Sequence, residues 1–306
     1  MLCGWAGIGS VGLAAIGTLR RLVRASEFGR IEPYEYFEPS RVVIRNGLIS
    51  RMWFPNTTFY SHSLPDRDLL LLVGEQQPTD DRKAYKMANE VLDVAQRVGC
   101  RRIYTSAASV TTIHHRVKPR VWAVPNSPDL LAEVRRYGNT ILMSEAENAA
   151  ETRGTTDESD EDTRSFISAG SGGGSISGLN GILLGAAKNR GIEAICLMGE
   201  VPYYLQAAPW PYPKASISVL EVLSRLLRMP LDLCELHEMA EKVDRNIEQV
   251  LEALANTEEL PEQVRTEMER LKQGRRPDLG PITDGEKHEI MEHIDELFRD
   301  EAENGS

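Results

Sequence analysis

Cysteine is scarce in this chain. Its 306 residues hold four: Cys3, Cys100, Cys196 and Cys234. None sits in a CxxC pair, and zinc knuckles and dithiol redox motifs both need that close spacing. Scattered thiols of this kind fit a reducing, cytoplasmic setting. Base is short as well, since 35 Lys and Arg stand against 46 Asp and Glu, for a net charge of −11. A nucleic-acid binder must neutralise phosphates, and an anionic membrane surface attracts cations, so this balance argues against both partners. No apolar run is long enough to span a bilayer. The apolar opening MLCGWAGIGSVGLAAIG is broken by glycines and has no basic residue ahead of it, unlike a signal peptide, and reads as structure.

What is present is ordinary globular material, 41% hydrophobic and 26% charged residues, enough to fill a sizeable core. Residues 2–6 read as the end of a buried strand, GIGSVG as a turn, and LAAIGTLRRLV as a helix with one apolar face. Asn46-Gly47 marks a hairpin turn inside RVVIRNGLISRMWF. DLLLLVGE (68–75) is a continuous apolar run, as in a strand covered on both faces. Residues 79–98 predict a helix with Tyr85, Ala88, Val91, Leu92 and Ala95 on one side, closed by Gly99. Strands follow at 101–109 and in VWAVPNS, then a helix with Ser127 as N-cap and Pro128 at its first position.

The stretch 151–164 is acidic, without an aliphatic residue, and reads as a solvated loop. A strand is expected at 166–170, a helix ending at Gly191, a strand at 192–200, and helices at 213–229 and 232–256. Strands alternating with helices imply an α/β fold, a mostly parallel sheet covered by helices on both faces. Beyond residue 256 the pattern changes to charged segments at 261–273 and 284–300, where Ile290, Ile294 and Leu297 fall at helical spacing. The expected organisation is therefore one α/β domain over 1–256 and an acidic, partly helical tail over 257–306.

Two glycine turns are the first candidate sites. GIGSVG matches GxGxxG and follows a strand, so Gly7 and Gly9 stand where helix N-terminal N–H groups could hold a phosphate. It lacks the Lys-Ser/Thr of a Walker loop and a well-placed acid for a ribose, and close packing of helix on sheet is the competing reading. The second region, with Gly172, Gly173, Gly174, the hydroxyl of Ser175 and the amide of Asn180, reads either as a small-ligand pocket at the carboxyl end of the sheet or as a turn into a tightly packed helix. Glu200 ends a buried strand, where a carboxylate can act as a general base, hold a sugar hydroxyl, cap a helix or pair with an arginine.

Tyr203, Tyr204, Trp210 and Tyr212 lie among Pro202, Pro209, Pro211 and Pro213, either as anchors of a protein-contact surface or as a lid over the core. Lys214 stands at a helix start, where the dipole disfavours a cation, which hints at an anion nearby. His114 and His115 with Arg116, Lys118 and Arg120 suggest a basic rim rather than a metal site, and His288 and His293, at i, i+5, read as surface residues. No metal ligand set, cofactor motif or catalytic acid/base pair is expected.

Residues 166–229 carry a resemblance. SGGGSISGLNGILLGAAKNRGIEAICLMGEVPYYL, followed by PWPYPKASISVLEVLSRLL, resembles the proteasome assembly chaperone 2 family: a Gly-rich turn, a GLNG helix start, a strand ending in GE, an aromatic-Pro stretch and a PKA helix start, in that order. GWAGIGSVG looks like the family's opening turn, and the likeness spans roughly residues 1–256. It implies a phosphorylase/hydrolase-like fold, similar to that of nucleoside phosphorylases. It also implies a homo-oligomer, with a trimer or larger assembly in range, and proteasome-like or other protein subunits as partners. The family's C-terminal docking pattern, a hydrophobic residue, Tyr and any residue, is not matched by Asn304-Gly305-Ser306. Two functions thus stand against each other: a protein-binding scaffold or assembly chaperone, and a nucleoside phosphorylase/hydrolase-like enzyme with a pocket at the glycine turns.

Overall fold

The computed structural model describes residues 1–142, apart from 40 and 112, and residues 176–255. The acidic stretch 151–164, the strand expected at 166–170, Gly172, Gly173, Gly174, Ser175 and the tail 257–306 lie outside the described residues.

Ten strands are described: β1 (Leu2–Trp5), β2 (Ser26–Ile31), β3 (Arg41–Arg45), β4 (Leu48–Trp53), β5 (Thr57–Ser63), β6 (Asp68–Gly74), β7 (Arg102–Thr111), β8 (Val121–Pro125), β9 (Thr140–Leu142) and β10 (Glu193–Pro202). Six α-helices accompany them: α1 (Val11–Leu22), α2 (Asp81–Arg97), α3 (Pro128–Val134), α4 (Gly178–Asn189), α5 (Pro213–Leu227) and α6 (Cys234–Ala255). Eight strands form one sheet in the order β2-β5-β6-β1-β7-β10-β8-β9. The central four, β6, β1, β7 and β10, run parallel; β5 and β8 join them antiparallel, so the mostly parallel α/β architecture is what the chain builds.

Side-chain alternation explains the layers. Leu69, Leu71, Ile195 and Leu197 face one side of the sheet and pack with α1, α3, α5 and α6. Leu72, Ala194, Cys196 and Met198 face the other and pack with α2 and α4. Cys3 and Cys196 are fully buried and free, and burial pushes their thiols up, to about 12 and about 11. Among the described residues no helix is long and apolar enough to cross a membrane.

The expected punctuation is present. Gly99 (φ 68°) and Gly191 (φ 67°) close α2 and α4 in the left-handed region, and Asp80, an unanticipated N-cap, opens α2 by accepting the Lys83 N–H at 2.8 Å. Two details differ. Tyr85 is exposed, and Ala84 and Met87 complete the buried stripe of α2 instead. Ser127 precedes α3 without a side-chain capping bond. Strands β2, β5 and β9 were not anticipated; β2 and β9 lie at the edges of the sheet, and β5 lies between β2 and β6.

The β3–β4 hairpin stands apart from the main sheet as a two-stranded ribbon. Asn46 (φ 52°) and Gly47 (φ 78°) make its turn, the two positive φ values of a type I′ hairpin.

Candidate functional site

The carboxyl ends of the parallel strands form one rim, and most of the candidate residues gather there. The β1–α1 turn runs through Gly7, extended at φ −175°, and Gly9, left-handed at φ 55°. Neighbours hold this turn from inside. The Gly9 carbonyl accepts the Tyr212 N–H at 2.8 Å, and the Ser216 hydroxyl donates to the Val11 carbonyl at 3.1 Å. A Cβ on Gly4 would lie 2.2 Å from the Gly12 carbonyl oxygen, and one on Gly12 would lie 2.2 Å from that of Ser106. These glycines let α1 press onto the sheet, which is the packing reading of the motif.

Gln77, in the β6–α2 loop, links the two glycine turns. Its Nε2 donates to the Ala6 carbonyl at 2.8 Å, and its Oε1 accepts the Leu179 N–H at 3.0 Å at the start of α4. No sequence motif pointed to Gln77, because its partners come from distant parts of the chain. Asn180, one residue on, is buried, and its Oδ1 has no hydrogen-bond partner among the described residues.

Glu200 is fully buried and gripped by four donors. Its Oε2 accepts the Arg120 backbone N–H at 2.8 Å and Nε at 3.2 Å, and its Oε1 accepts Arg120 Nη2 at 3.0 Å and Trp122 Nε1 at 3.1 Å. Of the roles open to this carboxylate, pairing with an arginine is the one built here, fastening β10 to β8.

The histidine pair is a correction to the expected basic rim, since both imidazoles are buried, with ring centroids 4.2 Å apart. Tyr204 Oη accepts the His115 N–H at 2.9 Å and meets its Nδ1 at 2.9 Å. The His115 carbonyl accepts Lys214 Nζ at 2.6 Å and Tyr212 Oη at 3.4 Å. Burial, aided by His114, Lys214 and Arg116, lowers the His115 pKa to about 4, so the ring is neutral at pH 7. Lys214 also pairs with Asp244 of α6 at 2.6 Å, which supplies the anion its position hinted at. Arg116 pairs with Glu248 at 2.9 Å and Lys118 with Glu221 at 2.7 Å, so these cations are neutralised by helix carboxylates.

Of the four aromatic residues expected at a partner surface, Tyr204 and Tyr212 are buried in the core beneath α5 and α6, where their hydroxyls bond inward. Tyr203 and Trp210 pack against that core while staying partly exposed. The aromatic-Pro segment thus covers the core with two of its rings and leaves two at the surface.

Two features lie outside the candidate sites. A cavity of about 880 Å³ opens at the opposite, amino ends of the strands, lined in part by Asp66, Arg67, Arg102 and Tyr104. The other is the β3–β4 hairpin, whose Ile44, Leu48 and Ile49 are 66%, 73% and 78% exposed, with Val42 and Met52 exposed beside them. Its segment RVVIRNGLISRMW is an apolar ribbon with three arginines and no acid.

The chain resembles known proteins along nearly all of this fold. An uncharacterized protein of Methanocaldococcus jannaschii is 27% identical over 248 residues, 81% of each chain. The crystal structure of Pyrococcus furiosus PbaB, an archaeal proteasome activator, superposes with a TM-score of 0.63 at 27% identity, covering 81% of this chain and 91% of that one. The Mycobacterium tuberculosis proteasome-assembly chaperone homologue shares the fold, with a TM-score of 0.60 at 20% identity over 88% of this chain and 99% of its own. The PAC2 family profile matches residues 1–251, from β1 into the last turns of α6. That is the whole described architecture, and the chain belongs to the PAC2 family.

Proposed function

We propose that this protein is an assembly-chaperone-like scaffold that acts in the cytoplasm as a homo-oligomer and binds proteasome-type subunits. The observation that carries the oligomer part of this reading is the exposed apolar hairpin. Five aliphatic or thioether side chains project into water on one ribbon, Val42, Ile44, Leu48, Ile49 and Met52, and a patch of that kind marks an interaction surface. The similarity to PbaB, described as an archaeal proteasome activator, supports the choice of partner class. The phosphorylase/hydrolase-like alternative draws less support. Its candidate base, Glu200, has four donors on its two oxygens, and Gly4, Gly9 and Gly12 sit against neighbouring atoms of the fold.

The purified chain mixed with purified proteasome α subunits, read by native mass spectrometry, tests this. A complex of defined stoichiometry is the expected result. Absence of a complex, together with phosphorolysis of purine nucleosides that Glu200→Gln abolishes, would transfer the function to the enzyme reading.

A further inference from the structure

We infer that the β3–β4 hairpin is a self-association surface, one face of which packs against the same face of a second copy of this chain. The inference rests on the homo-oligomer part of the proposed function and assigns its contact.

The register sorts the side chains. Val42 pairs with Met52, Val43 with Arg51, Ile44 with Ile49 and Arg45 with Leu48, with a bulge that absorbs Ser50. Alternation then places Val42, Ile44, Ile49 and Met52 on one face. Arg41, Arg45, Arg51, Val43, Leu48 and Trp53 occupy the other, where the Arg41 guanidinium lies 4.5 Å from the Trp53 ring. The four paired residues of the first face are all apolar, and all are exposed.

A two-stranded ribbon alone is marginal in water. This one is not joined to the eight-stranded sheet, so its apolar face needs a cover. A second copy fits for three reasons. The face offers no charge or hydrogen-bonding side chain with which to select a different partner, whereas two identical apolar faces are complementary about a twofold axis. Apposing them turns the arginines of both ribbons outward, away from each other. Those arginines then lie at the junction of two bodies that are otherwise acidic, in a chain of net −11, which offsets the repulsion between copies. Tyr34, exposed and edge-on against Phe54 at the hairpin's base, widens the patch.

The full chain is tested by native mass spectrometry alongside the exposed double variant Ile44→Asp/Ile49→Asp. The wild type is expected to assemble, and the variant to run as a single chain with an unchanged circular dichroism spectrum. In a Cys234→Ser background, Ile49→Cys treated with a mild oxidant is expected to give a disulfide-linked dimer through position 49. A wild type that is a single chain overturns the proposal. So does an assembly unchanged by the double variant, in which case self-association stands and only its assignment to the hairpin falls. Absence of the position-49 crosslink overturns the face-to-face contact. Loss of assembly on truncation after Ala255, with the hairpin intact, overturns it in favour of the tail.

Discussion

Arg120 holds Glu200 in a two-pronged grip, Nε to Oε2 at 3.2 Å and Nη2 to Oε1 at 3.0 Å, with the carboxylate buried and the guanidinium half exposed. The two partners are therefore not equivalent. Arg120→Ala leaves a buried carboxylate without its counter-charge and is expected to cost about 3 kcal/mol. Glu200→Gln keeps the volume and one acceptor while Arg120 turns to solvent, for about 1–2 kcal/mol. Urea denaturation of both variants measures the order; an equal or reversed cost would show that the pair does not fasten β10 to β8.

His115 sets a pH dependence. Its folded pKa of about 4 lies below its ordinary 6.5, so between these values the unfolded chain binds more protons than the folded one. The stability this supplies is complete above pH 6.5 and is lost as pH falls toward 4, by up to about 3 kcal/mol. Melting temperature followed from pH 7.5 to 4.5 should fall less steeply in His115→Gln than in wild type. Parallel curves would exclude His115 as the source.

Two glycines on one helix should respond with opposite sign. Gly12→Ala drives a methyl into the Ser106 carbonyl and should cost at least about 2 kcal/mol. Gly17→Ala meets nothing within 4 Å in the middle of α1 and should stabilise by about 0.5–1 kcal/mol. Thermal melts of the two variants decide it.

Gln77→Ala removes a donor to Ala6 and an acceptor from Leu179 at once. The expected loss is about 1–3 kcal/mol. Its signature is local: faster hydrogen exchange at the Leu179 amide, with amides in β7 unchanged. Uniform acceleration across the sheet would mean that Gln77 supports the fold at large rather than the two turns.

The order of elements was legible because it is written in local periodicity and local punctuation. After its exposed first residue Asp68, DLLLLVG is apolar and lies in the sheet interior, α2 repeats its small and aliphatic residues every three or four positions, and Asn46-Gly47, Gly99 and Gly191 stop or turn the chain where they stand. Contacts between distant segments were not legible. Tyr204 and Tyr212 look like surface anchors among prolines, yet their hydroxyls are taken by His115, about ninety residues earlier in the chain. Tyr85 borders the buried stripe of α2 in the sequence and falls just outside it in space. The three basic residues after His115 read as a rim only while their carboxylate partners on β10, α5 and α6 are unseen.

The place of β10 has a consequence for biosynthesis. It is the last strand described, yet it lies between β7 and β8, pairing with the first along ten residues and with the second along five. Until residue 202 has left the ribosome, those two earlier strands each present an open edge to other nascent chains. A protein proposed to shepherd the assembly of others thus passes through a stage of its own synthesis in which shielding from neighbours matters most.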